Sequence, residues 1–317
     1  MKPVYPTFTY LSLGAGVQST ALLLMSDKGL LGCPRANVAV FADTKAEPRY
    51  VYEHLEAIRP LVSIPIVTVT AGDLAADSVG GTFIRLPAFT AGQEKIVMVT
   101  EKKCSCVVDD DEAYEDGMVV DVNCPLCHGE GVVAVDPTSK TIVTGGGMVR
   151  RQCTREYKIA PIQKWVREHL GYAKGQRVKH KVVCLVGISV DEIQRAKPSQ
   201  EKWVTRLHSL IDADMRRRDC IKLLETHGWP VPKKSSCVFC PYHDDAIWRD
   251  LRDNHPEDFA RAVQFDKDIR VSTKAGISAP VFIHRSLKPL GEVEFKPAHT
   301  TPLFDSFTEE CEGMCGV

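Results

Sequence analysis

The sequence predicts an α/β fold: a Rossmann-like, doubly wound parallel sheet carrying a Cys-rich, zinc-ribbon-like insertion and ending in a helical part. Three observations predict it. Short apolar runs alternate with segments of helical periodicity over residues 7–69. A turn of glycines and hydroxyl residues, Ser12-Leu13-Gly14-Ala15-Gly16-Val17-Gln18-Ser19-Thr20, joins the first strand to the first helix. The alternation stops near residue 80 in acidic, Gly-rich sequence bearing Cys104, Cys106, Cys124 and Cys127, and helical periodicity returns near residue 154.

Residues 7–13 form the first strand, and residues 17–26 place Ala, Leu and Met at helical spacing. Residues 38–42 are a short buried strand, Pro48 opens a helix that runs to about residue 62, and residues 64–69 are a third strand. Beyond the insertion, residues 154–170 read as helix, residues 181–188 as an apolar strand, and the rest to about residue 270 as mostly helical. The sequence after Pro280 is Pro-rich and irregular. The expected units are residues 1–79 with 148–215 for the α/β domain, 80–147 for the insertion, and 216–317 for a helical region with a flexible Cys-bearing tail.

A chain of 317 residues that is 44% hydrophobic can bury a sizeable core, which excludes disorder throughout. Lys and Arg total 40 against 41 Asp and Glu, so no global charge drives the chain toward nucleic acid or anionic lipid. No apolar run approaches the ~20 residues of a membrane span. The start, Met1-Lys2-Pro3-Val4-Tyr5-Pro6, lacks the apolar core of a signal peptide, so a cytoplasmic location without a membrane partner is expected. In that setting 12 cysteines point to metal or redox chemistry rather than disulfides.

The glycine turn follows a strand and opens a helix, where backbone N–H groups and the helix dipole favour an anion such as phosphate or sulfate. It is not a Walker P-loop, because no Gly-Lys-Ser/Thr follows, and Asp43 comes later than the ~20-residue spacing of a ribose-binding acid. These residues resemble the PP-loop superfamily, and within it the phosphoadenosine phosphosulfate (PAPS) and adenosine phosphosulfate reductases. The superfamily's S-G-G-x-D-S falls on Gly14-Ala15-Gly16-Val17-Gln18-Ser19. The reductases' D-T-G-x-x-x-P-E falls loosely on Asp43-Thr44-Lys45-Ala46-Glu47-Pro48. Their G-I/L-R-x-D-[EQ]-S-x-x-R falls on Gly187-Ile188-Ser189-Val190-Asp191-Glu192 with Arg195, Ser189 replacing the first Arg. Read on its own, that acidic pair is equally a helix cap with a surface charge.

The resemblance implies an adenine nucleotide alpha hydrolase-like fold and a nucleotide site at Ser12, Gly14, Gly16, Gln18, Ser19, Asp43, Thr44, Gly187, Asp191 and Arg195. Gln18 stands where ATP-cleaving members place an Asp that helps hold Mg²⁺, which leans toward the reductase branch over ATP with Mg²⁺. It further implies a [4Fe-4S] cluster on Cys153 and the C-x-x-C of Lys234-Ser235-Ser236-Cys237-Val238-Phe239-Cys240-Pro241, with Cys220 the candidate fourth ligand. With Cys220 in the core instead, one iron would stay open, as in PP-loop enzymes that thiolate tRNA. Arg151, Arg155 and Lys158 beside Cys153 are the expected anion-binding groups. The run Arg216-Arg217-Arg218 reads equally as an anion contact and as a solvated helix face.

Cys104, Cys106, Cys124 and Cys127 form two close pairs separated by a polar loop, a spacing that suits tetrahedral Zn²⁺. Near the end of the sequence, Glu310-Cys311 resembles the first residues of the reductases' mobile nucleophile segment, which makes Cys311 the expected catalytic thiol and Cys315 a resolving one. The expected function is therefore a PAPS reductase-like enzyme that binds an adenine nucleotide and performs sulfur transfer or reduction with a thiol reductant or sulfur donor. One alternative is an ATP-dependent sulfurtransferase acting on nucleic acid, of the tRNA thiolation or DNA phosphorothioation type, with the zinc ribbon as reader. A non-catalytic nucleotide-binding regulatory module is the other.

Overall fold

The structure, a computed structural model, describes residues 7–81, 84–90, 123–125, 147–149, 151–270 and 279–296, and the backbone of residues 93–103, 108–109, 118–119 and 132–144. The chain folds as two compact units, one of Met1–Thr90 with Met148–Val317 and the other of Ala91–Gly147.

In chain order the first unit begins with strand β1 (Thr7–Leu13), helix α1 (Val17–Lys28), β2 (Val38–Ala42), α2 (Arg49–Ile58), β3 (Ile66–Val69), α3 (Leu74–Gly80) and β4 (Phe89–Thr90). The second unit holds β5 (Gln93–Lys103), β6 (Val108–Asp109), β7 (Met118–Val119) and β8 (Val132–Thr144), and β9 (Gly147–Met148) follows. The first unit then resumes with α4 (Ala160–His169), β10 (Lys181–Val186), β11 (Val204–Leu207), α5 (Ser209–Asp212), α6 (Arg217–Thr226), α7 (Asp245–Asn254), α8 (Pro256–Ile269) and β12 (Val281–Phe282).

Five strands form a parallel sheet in the order β11-β10-β1-β2-β3. Counted among these strands alone, the order is 3-2-1-4-5 read from the β3 edge, so the chain reverses direction between β1 and β10. Ligands of doubly wound sheets bind beyond the carboxyl ends of the strands at that switch point. Both faces are covered, and side chains alternate between them. Leu11, Leu13, Ala39, Phe41, Val183 and Leu185 join one core with α1 and α6. Tyr10, Val38, Val40, Ala42, Val182, Cys184 and Val186 join the other with α4. Helix α1 is buried at every residue from Val17 to Asp27, which accounts for its lack of a polar face. It ends at Gly29, whose φ of 65° closes the helix in the left-handed region.

A further core joins Ala46, Tyr157, Val238, Phe239, Trp248, Leu251 and Phe265, and so ties the loop after β2 to α7 and α8. The second unit is built on an antiparallel pair, β5 with β8, in which Gln93 faces Thr144 and Lys103 faces Val132, with β6 paired to β7. Of the four cysteines expected to bind zinc, Cys124 is buried. Cys104, Cys106 and Cys127 lie outside the described residues, as do Cys311 and Cys315. Among the described residues no helix is long and apolar enough to cross a membrane.

Three elements differ from the sequence expectation. Strand β11 extends the sheet where helix was expected; only its first residue, Val204, is buried, so it carries almost no apolar signal. The stretch before α4 is a π-helical turn, Thr154–Ile159, inside what reads as one continuous helix. Strand β3 starts at Ile66, two residues after the apolar run begins.

Candidate functional site

Three loops leave the carboxyl ends of β1, β2 and β10, and a fourth segment, between α6 and α7, reaches them. The first loop is the glycine turn. Ala15 takes φ 59°, a left-handed conformation that costs an L-residue about 1–2 kcal/mol and so marks a turn held by its surroundings. Gly16 caps α1, its carbonyl accepting from Thr20 N at 3.0 Å and from Ser19 Oγ at 3.2 Å. The first N–H groups of α1 have no partner within the helix, and the positive dipole end lies there, so the turn can hold an anion. Gly187, at the end of β10, lies against it: a Cβ there would come 2.8 Å from both Cα and N of Ser19.

Behind the turn is a buried polar network. Gln18, 1% exposed, receives Arg217 Nη1 on Oε1 at 3.0 Å and donates Nε2 to Glu192 Oε2 at 3.5 Å. Glu192 also pairs with Arg195. Asp191 Oδ2 accepts the backbone N–H of Arg217 at 2.6 Å at the start of α6. Of the residues expected to touch nucleotide, Gln18, Asp191 and Arg195 are thus engaged in fixing the loops. The Asp43 carboxylate is engaged as well, accepting Lys45 N and Tyr52 Oη at 2.8 Å each and pairing with Lys45 Nζ at 2.8 Å. Burial raises its pKa, but the Lys45 and Tyr52 contacts outweigh that and hold it below the usual carboxylate range.

The fourth segment connects this turn to a cysteine pocket. Ser235 Oγ donates to Gly14 O. Two residues on, Cys237 Sγ lies 3.5 Å from Thr44 Oγ1 and 3.8 Å from Glu47 Oε1, and Val238 N donates to Ala46 O at 2.8 Å. Cys237 shares a pocket with Thr44, Arg151, Cys153, Lys158 and Cys240. The π-helical turn after Cys153 brings Lys158 round to the same pocket; such turns often sit at functional sites. Lys158 Nζ stands 3.4 Å from Glu47 Oε1, both side chains almost wholly buried. Burial drives the Cys237 thiol well above its ordinary pKa, the Glu47 charge adds to this, and Lys158 opposes it. Glu47 Oε2 and Thr154 Oγ1 are buried without a hydrogen-bond partner. His243 supports the segment from behind: its N–H bonds Cys240 O at 3.1 Å and its Nε2 meets Ser236 Oγ at 2.8 Å. Burial lowers its pKa to about 3, so it is neutral.

Two of the expected site residues stand apart from this pocket. Cys220 is fully buried in the core between α1 and α6 and is not among the residues lining the cysteine pocket, because it lies on the apolar face of α6 with Leu224 one turn on. Arg155 is exposed and does not line the pocket either. Sequence reasoning also missed residues that contact the turn and the pocket segment. Glu47 lies inside the Asp43–Pro48 motif, where no role was expected of it, and Ser235 and His243 flank the C-x-x-C closely enough that their spacing was a usable signal.

No protein-family model matches the chain, and no curated protein matches it. Among solved structures it is similar to the crystal structure of a PAPS reductase from Candida auris in its phosphate complex, with 10% identity, a TM-score of 0.35, and coverage of 74% of this chain and 81% of that one. Similarity at that level assigns no function. The fold is doubly wound α/β, and function is read from its strand order and from the geometry of the loops at the switch point.

Proposed function

We propose that this chain is a PP-loop enzyme of sulfur chemistry, resembling the PAPS reductases, that binds an adenine nucleotide by its anionic tail at residues 14–19 and works on it from the adjoining cysteine pocket. One observation carries the proposal: a single segment touches both places, Ser235 at Gly14 and Cys237 at Thr44, so the anion turn and the thiols are separated by only two residues of chain. The turn holds and orients the phosphate or sulfate end. Thr44 and Glu47 fix Cys237, and Lys158 places a positive charge beside it that favours an anionic sulfur species.

The donor set bears on which metal centre the pocket could hold. Among the described residues no group of three or more His, Cys, Asp and Glu side chains is arranged to hold one metal ion. An iron–sulfur cluster spreads its thiolates over separate corners, and Cys153, Cys237 and Cys240 around one cavity suit three of them. Such a cluster, when bound, would supply electrons or sulfide.

The placement of Cys220 in the core favours a second reading, sulfur insertion with an open iron, in which the nucleotide is ATP and the acceptor a nucleic acid. Consumption of PAPS or adenylyl sulfate with a thiol donor supports the reductase reading; pyrophosphate release from ATP supports the second. Iron and sulfide assays on anaerobically purified protein test the pocket itself. Cys237→Ser should lose iron, while Cys220→Ala should retain it at a stability cost of about 1 kcal/mol. Iron-free wild-type protein after reconstitution would refute the cluster, and iron loss in Cys220→Ala would return that residue to the ligand set.

A further inference from the structure

We infer that the groove along α4 is a docking site for single-stranded nucleic acid. The inference goes beyond the proposed function and rests on neither the cluster nor the identity of the small nucleotide. The groove has a volume of about 440 Å³, and residues of the first unit alone build it. Helix α4, the coil after it and the residues leading into β11 form its walls, with Lys164, Arg167, Tyr172, Lys174, Glu201 and Trp203 in the lining. It starts at Ala160, two residues after Lys158 of the cysteine pocket, and follows α4 as far as Glu168. Eight residues of helix span about 12 Å, the length of three or four nucleotides at ~3.4 Å each.

The chain as a whole balances 40 Lys and Arg against 41 Asp and Glu, but these walls do not balance. Residues 164–181 carry six Lys and Arg against Glu168 alone, and residues 197–206 carry three against Glu201 alone. Val182 pairs with Val204, so Lys181 and Trp203 stand at neighbouring strand starts and the two segments meet there. Among the described residues, the exposed side chains of Lys174, Arg177, Lys181 and Lys202 make no ion pair. Arg167 Nη2 donates to the carbonyls of Ala173 at 3.0 Å and Gln176 at 2.6 Å, which orders the guanidinium without cancelling its charge. Of the two acids, Glu168 lies 4.0 Å from Lys164, and Glu201 accepts the Trp203 indole N–H at 3.2 Å. That bond fixes the plane of the indole, and Arg167 sits over the ring at 5.9 Å from its centroid. Tyr172 is fixed as well, its Oη meeting His180 Nδ1 at 2.7 Å and accepting Lys179 N at 3.0 Å. Single-stranded nucleic acid is held by cations that track its backbone, interleaved with aromatic rings on which bases stack. An acidic protein would use the cations and leave the rings without a role.

Fluorescence anisotropy on the full-length chain tests this with labelled oligouridine and oligothymidine, each titrated from low to high salt. Wild type should bind at low salt, log Kd should rise linearly with log salt concentration, and the tighter of the two probes names the occupant as RNA or DNA. The double variant Lys174→Glu with Arg177→Glu should weaken binding about tenfold or more and lower the salt slope by about one. Trp203→Ala should weaken it about five- to a hundredfold, the loss of one stacked base, with the slope unchanged, and Trp203→Phe should recover part of that. Lys267→Glu, the same charge reversal on an exposed residue of α8, should stay within about twofold. ATP affinity and iron content should match wild type in every variant. No binding by wild type at low salt, or equal losses in Lys267→Glu and the double variant, would overturn the inference. So would displacement of the probe by poly-glutamate as readily as by unlabelled oligonucleotide of equal charge, the result expected of a face for an acidic protein. A wild type that holds ATP and iron but no oligonucleotide strikes the groove and leaves the proposed function standing. One that binds oligonucleotide through these residues but holds neither ATP nor iron supports the groove while the proposed function falls.

Discussion

His54 of α2 joins the anion turn to the rest of the fold at the level of one side chain, its Nε2 meeting Thr20 Oγ1 at 3.0 Å in the first turns of α1. Burial lowers its pKa from 6.5 to about 4, so the native state holds the neutral ring and the unfolded chain binds the proton more readily. The sign follows from linkage. Stability from this group is complete above pH 6.5, falls as the pH drops toward 4 by at most about 1.4 kcal/mol per pH unit, and falls no further below that. A glutamine can keep the bond to Thr20 and cannot titrate. Urea midpoints at pH 7 and pH 4.5 should therefore drop less in His54→Gln than in wild type, whereas equal drops would place the acid sensitivity elsewhere, His243 being the next candidate.

At the scale of elements, the strands and helices buried on both sides were the legible ones. Strands β1, β2 and β10 read correctly because apolar side chains fill both faces, and α1 because every side of it is covered. Strand β11 did not, since one buried residue in four leaves no pattern, and its place is set by pairing with β10. The site was legible as motifs and illegible as a junction. Nothing in a coil such as residues 234–240 says that Ser235 will bond Gly14 or that Cys237 will face Glu47, because those contacts come from chain folding across long separations. Cys220 is the opposite case: left open between cluster ligand and core by its sequence neighbourhood, it lies one turn from Leu224 on the buried face of α6. The close approach of β10 to α1 gives a prediction at this scale. In Gly187→Ala the new methyl would meet the backbone of Ser19 at 2.8 Å, and neither backbone can yield without moving the turn. Overpacking of this kind costs about 1–3 kcal/mol. The variant should melt several degrees lower and lose nucleotide affinity together, and a variant with normal melting and normal affinity would mean that the turn is more pliant than its packing implies.

For the whole molecule, the question is what the second unit contributes. The parallel sheet, the anion turn and the cysteine pocket are all built from residues of the first unit, including Gly14, Gly187, Cys153 and Cys237. The inserted unit departs and returns on neighbouring strands, since Gln93 faces Thr144 across the β5–β8 pair. Paired residues of an antiparallel ladder have Cα atoms about 4.5–5.5 Å apart, a gap that a short Gly/Ser linker spans. Replacing residues 91–147 by such a linker should therefore leave the sheet folded, with cooperative melting within a few degrees of wild type and unchanged ATP affinity. The same protein is also the cleanest way to separate the two readings of function. A small-molecule reductase should keep its turnover on an adenylyl sulfate without the insertion. An enzyme that uses the insertion to read nucleic acid should keep nucleotide binding and iron but lose affinity for tRNA or DNA, measured by fluorescence anisotropy at fixed salt because phosphate contacts weaken steeply as salt rises. Loss of cooperative melting on excision would count against the independence of the first unit, and would make the insertion part of the framework that holds the site.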